Sequence, residues 1–273
     1  MKYKFFLGYK KDKVDHRDLP MAIVLPPIKL PDFIDYTNKM SPVGNQGDEG
    51  TCVAFASVDG VKEYQEKKER NKYIDLSVRY VYWCCKRIDG MPNEEGTHPR
   101  VAMKVLQKYG VPPEKYWPYK PHQTDKPKKN IDKIAKPFKI LAYARLNSVL
   151  EMKRSLVING PFLVGVVVFD NWMTEKVANT GFISFPRKKN KQIGGHAICI
   201  VGYNENKSLF KFKNSWSEEW GDKGYGYLSY KYIEKFCMDA WSATDLIENP
   251  KSLVTSRERI IKKYKNLMLY DFP

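Results

Sequence analysis

A thiol, an imidazole and two side-chain amides stand at positions from which one acyl-transfer site can be assembled. Cys52 lies in the stretch Val43-Gly44-Asn45-Gln46-Gly47-Asp48-Glu49-Gly50-Thr51-Cys52-Val53-Ala54-Phe55-Ala56, and His196 and Asn214 follow far downstream. A thiol attacks carbonyls effectively only as thiolate, and the positive end of a helix beginning at Cys52 would stabilise that charge. An imidazolium from His196 would lower the thiol pKa further, and the same ring could then protonate a leaving amine. The amide of Asn214 can accept the imidazole N–H without adding charge. Gln46 can donate its side-chain N–H to a developing oxyanion, alongside the backbone amide of Cys52.

These groups need two different kinds of scaffold. After Cys52, the apolar positions Val53, Phe55, Ala56, Val58, Val61 and Tyr64 alternate with polar ones at helical spacing, which predicts a helix of about four turns with Cys52 in its first turn. Further helices are expected from Leu76-Ser77 to Cys85, from Pro99 to Tyr109 with Gly110 closing it, and from Ser148 to Asn159. The proline- and lysine-rich stretch 111–139 reads as a long irregular crossing, and the second half turns to sheet. Strands are expected at Phe162–Phe169, His196–Tyr203, Leu209–Lys213 and Tyr225–Tyr230. The organisation expected is an N-terminal extension (1–29), a mainly helical part carrying Gln46 and Cys52 (30–139), a β part carrying His196 and Asn214 (140–250) and a basic C-terminal tail (251–273). The tail is expected to be helical and docked on the body rather than on a membrane.

The formal net charge of +16 favours anionic partners but names none of them. The basic residues are spread along the chain without finger spacing or an aromatic RNA-binding pattern. A solvated lysine-rich surface, open to acidic partners, is therefore the expectation over a nucleic-acid footprint. No run approaches the ~18 apolar residues needed to span a bilayer, and the N-terminal residues do not read as a secretory signal. Five irregularly spaced cysteines do not form a disulfide framework, which points to a reducing, intracellular or cytoplasmic setting, or to a viral protein. The four histidines lack metal-ligand spacing, so no metal or organic cofactor is expected.

Val43 to Ala56, Gly195-His196-Ala197 with Val201-Gly202-Tyr203, and Lys213-Asn214-Ser215-Trp216 with Trp220-Gly221 and Gly224-Tyr225-Gly226 resemble the papain/cathepsin family of cysteine peptidases. Their order and wide spacing agree with that family. The resemblance covers roughly residues 30 to 245. It implies an α+β, papain-like two-lobe fold, with a helical left lobe carrying the nucleophile helix, a β-barrel right lobe and an extended substrate between them. It further implies peptide-bond hydrolysis, with Cys52 as nucleophile, His196 as acid/base, Asn214 orienting it and Gln46 stabilising the oxyanion. Gly50, Gly96, Thr97 and Gly195 match positions beside the substrate backbone. Trp216 matches an indole shielding the His/Asn hydrogen bond, and Ser242 the floor of a side-chain pocket.

The chain departs from the family at Glu49 and Asn190, where cysteines are usual, and at Val53, where a tryptophan is. Glu49 would put a carboxylate near the nucleophile and raise its pKa unless it points away. The 29-residue extension is too short for the helical inhibitory prodomain of secreted relatives. Its charges and prolines predict an arm that is solvated or packed on the outside, rather than laid over the cleft. Two rival readings use the same residues: a peptide ligase or transamidase, and a catalytically silent papain-like binding protein.

Overall fold

In the computed structural model, which describes residues 5–23 and 28–244, the backbone begins to coil at Cys52 and continues helically to Arg70. α1 (Cys52–Phe55) passes into a π-helical stretch, Ala56–Lys62, before α2 (Glu63–Arg70) resumes ordinary winding. The sequence predicts an uninterrupted α-helix here, and hydrogen bonding from outside explains the difference. The carbonyl of Asp59 accepts from Ser41 Oγ and Lys213 Nζ, both at 3.0 Å, so side chains have inserted into the helical ladder. Gly60 lets this segment lie against the sheet, since a Cβ there would fall 2.4 Å from that of Cys199.

α3 (Val78–Lys86) starts at Ser77, whose hydroxyl accepts from the Tyr80 amide. α4 (Pro99–Lys108) has proline at its start, but its N-cap, His98, provides no side-chain cap. The long crossing keeps only the short helix α5 (Ile131–Ala135) and a single 3-10 turn, in line with its prolines. α6 (Val149–Ile158) starts at Ser148, whose hydroxyl accepts from the Glu151 amide, while Glu151 Oε2 accepts from the amide of Asn147 just before the cap.

The strands are β1 (Phe33–Asp35), β2 (Ala142–Arg145), β3 (Phe162–Phe169), β4 (Gln192–Asn204), β5 (Leu209–Lys213), β6 (Tyr225–Ser229) and β7 (Cys237–Thr244), with α7 (Glu175–Thr180) and α8 (Tyr230–Phe236) between them. They form one antiparallel sheet in the order β2-β7-β3-β4-β5-β6, and β1 adds to β4. The path is open among the described residues, so the expected β lobe is a sheet rather than a closed barrel. Period-2 alternation gives it two buried faces. Leu163, Ala197, Cys199 and Trp241 pack with the Cys52 helix, α3 and α4 in one hydrophobic cluster. Val164, Val166, Ile198, Ile200 and Phe212 pack with Trp172, Trp216 and Tyr232 in the other.

β7 lies outside the sequence expectation because Asp239 and Ser242 interrupt its apolar pattern. The basic tail expected over 251–273 lies outside the described residues. Among the described residues, no helix is long and apolar enough to cross a membrane.

Candidate active site

Gln46, Cys52, His196 and Asn214 meet where the N-terminus of α1 faces β4. Cys52 occupies the first turn of the helix, and its sulfur lies 3.4 Å from the amide of Ala197, the residue after His196. His196 sits within β4, paired in register with Val166, and its Nε2 lies 2.8 Å from Asn214 Oδ1. The second ring nitrogen, Nδ1, has no hydrogen-bond partner among the described residues.

Asn214 is held from its neighbour: Lys213 reaches Ser41 Oγ at 2.9 Å and fixes the end of β5. Trp216 stacks on the imidazole at 4.5 Å between ring centroids and an interplanar angle of 24°. It covers the His196–Asn214 hydrogen bond as an apolar lid, and water competes less well for a bond so covered.

Gln46 is aimed by Ser215. The Ser215 hydroxyl donates to Gln46 Oε1 at 2.7 Å, and its carbonyl accepts the Gln46 amide at 2.9 Å. This fixes Nε2 as a donor, which reaches the Glu49 carbonyl at 2.9 Å and the carbonyl of Phe6 at 3.2 Å. Sequence reasoning did not identify Ser215 as the residue that orients Gln46. The Glu49 carboxylate turns away from the thiol into a buried pair with Arg79, where it also accepts from the His122 amide.

The N-terminal arm runs through the cleft, contrary to the outside packing its composition predicts. Phe5 stacks on Trp216 at 4.3 Å, and Leu7 lies against Gly194. The Thr97 amide donates to the Gly8 carbonyl and the Lys10 amide to the Thr97 carbonyl, both at 3.0 Å. The Tyr9 amide reaches the Gly195 carbonyl at 3.3 Å.

Glycines make this approach feasible. A Cβ on Gly96 would lie 2.2 Å from the Gly8 carbonyl oxygen, and one on Gly50 would lie 3.1 Å from the Gly8 Cα. Gly50, Gly96, Thr97, Gly195 and Trp216 therefore all border the arm. Composition misled because it counts charges, whereas the arm's charges find partners: Asp12 accepts from the Arg100 amide and from Trp241 Nε1, and Asp18 pairs with Arg100. Asp12 thus supplies the cap that α4 lacks.

Ser242 does not join this set. Strand alternation turns it to the opposite face of β7, where its hydroxyl meets Ser155 Oγ at 2.7 Å and Asn159 Nδ2 at 3.0 Å. Asp239 takes the position at the base of the cleft and accepts from the Tyr9 hydroxyl. The signal available in sequence was a carboxylate between Met238 and Ala240-Trp241.

With the arm in place, the reacting groups are dry. Burial pushes the Cys52 thiol up to about 11, against opposing hydrogen bonds from the backbone amides of Ala197 and Gly8. Burial also pulls His196 down to about 4, opposed by its bond to Asn214. A neutral thiol beside a neutral imidazole is an unreactive pair over the range between those values. Readmitting water would remove the desolvation that holds both groups neutral. The helix end and an imidazolium would then favour the thiolate.

A model of the papain family cysteine proteases matches residues 30–242. The chain belongs to that family. An uncharacterized peptidase C1-like protein of Acanthamoeba polyphaga mimivirus is 31% identical over 89% of this chain and 88% of its own length. Mouse cathepsin K is 30% identical over 74% of this chain and 60% of the cathepsin. The crystal structure of xylellain, a cysteine protease from Xylella fastidiosa, superposes with a TM-score of 0.76 at 28% identity, covering 88% of this chain and 96% of that one. The protein is thus a cysteine-type peptidase, a hydrolase of a family that acts on protein substrates. Its five cysteines are all free, consistent with Glu49 and Asn190 standing where family members usually have cysteines.

Proposed function

We propose that this papain-family peptidase cleaves peptide bonds through a Cys52 thiolate and His196 imidazolium, and that its own N-terminal arm holds it latent. The observation that carries the reading is a peptide carbonyl, that of Phe6, resting on Gln46 Nε2 beside Cys52 and the His196–Asn214 pair. Cys52 adds to the substrate carbonyl, and the oxyanion that forms is met by Gln46 Nε2 and the Cys52 amide. His196 gives its proton to the leaving amine as the acyl-enzyme forms. It then takes one from the water that attacks the acyl-enzyme, which releases the acid and restores the thiolate–imidazolium pair.

Polarity accounts for the arm's survival in the cleft. His196 and its covering Trp216 mark the side from which the amine departs, so the acyl part of a substrate lies toward Thr97 and Gly195. A substrate therefore runs from Thr97 toward Trp216. The arm runs the opposite way, with Phe5 at Trp216 and Tyr9 at Thr97. The nitrogen that would leave on attack at Phe6, that of Leu7, lies on the side away from Trp216, so protonation by His196 is misdirected.

The free cysteines favour a reducing site of action, and one similar protein is viral. Intracellular action, in a cell or during infection, is the setting proposed.

The test is digestion of a peptide library in heavy-oxygen water by the full chain opened with Gly8→Val. Products carrying one heavy oxygen at the new C-terminus are expected. Products joined to an added amine in their place would support a transamidase, and no turnover would support a silent binding protein. In the opened enzyme, Gln46→Ala is expected to lower kcat by roughly 10²- to 10³-fold with little change in KM, as measured by steady-state peptide hydrolysis.

Docking of the arm should also depend on pH. Burial, then the charge of Asp239, raises Asp12 from its usual 3.8 to about 6, although Trp241 and Arg100 oppose the shift. The docked arm therefore holds a proton that a free arm releases, so docking is strongest below the lower value and weakens as pH rises to the upper. A synthetic peptide of residues 5–18 is expected to inhibit the opened enzyme roughly tenfold or more less tightly at pH 7 than at pH 4 through this group. The same peptide with Asp12→Asn is expected to lack that share of the dependence, read as the difference between the two inhibition profiles.

A further inference from the structure

We infer that the cleft selects tyrosine on the acyl side of the cleaved bond, and that Asp239 is the selecting residue. The inference rests on the peptidase reading above and deepens it by naming a substrate class.

Tyr9 enters a slot between β3 and β4. A Cβ on Gly165 would lie 2.0 Å from the ring's Cε2, and one on Gly195 would lie 2.4 Å from its Cδ1, so the two glycines form the walls. The floor is the Asp239 carboxylate, which accepts the phenol hydroxyl. Asp239 stands directly across from Gly165 in the β3–β7 register, and its side chain is 0% exposed. The depth of the slot is therefore matched to a six-membered ring with a donor at its far end.

The slot lies beside Thr97 and Gly195, on the opposite side of Cys52 from Trp216. A substrate of productive polarity would bring an acyl-side residue to it even though its backbone runs opposite to the arm's.

Two alternatives to tyrosine meet specific costs. In this structure Asp239 Oδ2 accepts from the Tyr9 hydroxyl and, at 2.9 Å, from the Asp12 amide. Once the arm has left, phenylalanine fills the walls but gives that buried oxygen no donor, and a site built to bond a hydroxyl rejects the analogue lacking one. Lysine or arginine would bring a donor but also a charge. Asp239 is already paired with Arg145 Nη2 at 2.6 Å, and Arg100 lies beside the same cluster. When the arm leaves, Asp12 and Asp18 leave with it, so two guanidiniums remain around one carboxylate. A third cation would be repelled, whereas a neutral phenol is not.

The experiment uses the full chain with Gly8→Val and sets of fluorogenic peptides that differ only in one acyl-side residue, tyrosine, phenylalanine or arginine, placed in turn at each of the first three positions before the cleaved bond; the position with the largest tyrosine preference is the one read. A kcat/KM for tyrosine about tenfold or more above those for phenylalanine and arginine is expected, and Asp239→Ala is expected to bring the tyrosine-to-phenylalanine ratio to near one. Hydrolysis with phenylalanine or arginine preferred, or a ratio that survives Asp239→Ala, overturns the inference while leaving the peptidase reading intact. Hydrolysis of none of the peptides would count against the peptidase reading instead.

A second measurement reads the same pocket without turnover. In the otherwise unaltered chain, Tyr9→Phe is expected to speed alkylation of Cys52 about tenfold by loosening the arm, and to have no such effect in a chain that already carries Asp239→Ala. Equal effects of Tyr9→Phe in both backgrounds would overturn the assignment of Asp239.

Discussion

Gly8→Val is expected to raise the rate of Cys52 alkylation by iodoacetamide at pH 6 by on the order of 10²-fold, and peptide turnover with it. The reason is steric. A Cβ at position 8 would lie 1.8 Å from the carbonyl oxygen of Gly50, a backbone atom that no rotamer change can move aside. The strand-like contacts on either side, Thr97 amide to Gly8 carbonyl and Lys10 amide to Thr97 carbonyl, depend on that close approach.

In the wild type, Cys52 is completely buried, so under the proposed latency its apparent reactivity is scaled by the fraction of chains in which the arm is open. The substitution removes the closed state's advantage without touching a reacting group. Val14→Ala serves as the control, because Val14 lies on the same arm yet is 87% exposed. An unchanged alkylation rate in a Gly8→Val chain with native circular dichroism would show that the arm does not gate the site.

Cys52→Ala and His196→Ala, each made in the opened background, are expected to lose roughly 10⁵-fold or more in kcat/KM. Combining them should cost little beyond either alone, because thiolate and imidazolium act as one unit and neither half works without the other. The pH profile of the opened enzyme should be bell-shaped, bounded by formation of the thiolate on the acid side and loss of the imidazolium on the alkaline side. Peptide hydrolysis from pH 4 to 10 measures this. Activity that persists in Cys52→Ala would remove the nucleophile from the mechanism. Strictly additive losses would mean that the two side chains act separately.

The site's participants were legible because their chemistry is tied to local signals. A helix start at Cys52 follows from the apolar spacing after it, and β3 and β5 occur where branched and aromatic residues run together. The π-helical stretch was not legible, because it depends on Ser41 and Lys213 reaching one carbonyl from elements remote in sequence. Ser242 was misassigned for a related reason. Counting along β7 from Cys237 gives a position but not a face, and pairing with β3 and β2 decides which side chains look into the cleft.

The sequence by itself determined the residue types for a thiol–imidazole site, an α+β chain with helices before strands, and the papain-family order of its motifs. The tertiary structure alone decided that residues 5–12 fill the cleft, with Phe5 on Trp216 and Tyr9 beside Thr97, and that Asp239, not Ser242, meets the Tyr9 hydroxyl there. The physical reason is that periodicity and propensity act over a few residues, while the arm is held by pairs such as Tyr9–Asp239, Asp12–Trp241 and Phe5–Trp216. Those contacts join residues more than 200 positions apart, beyond the reach of any local pattern.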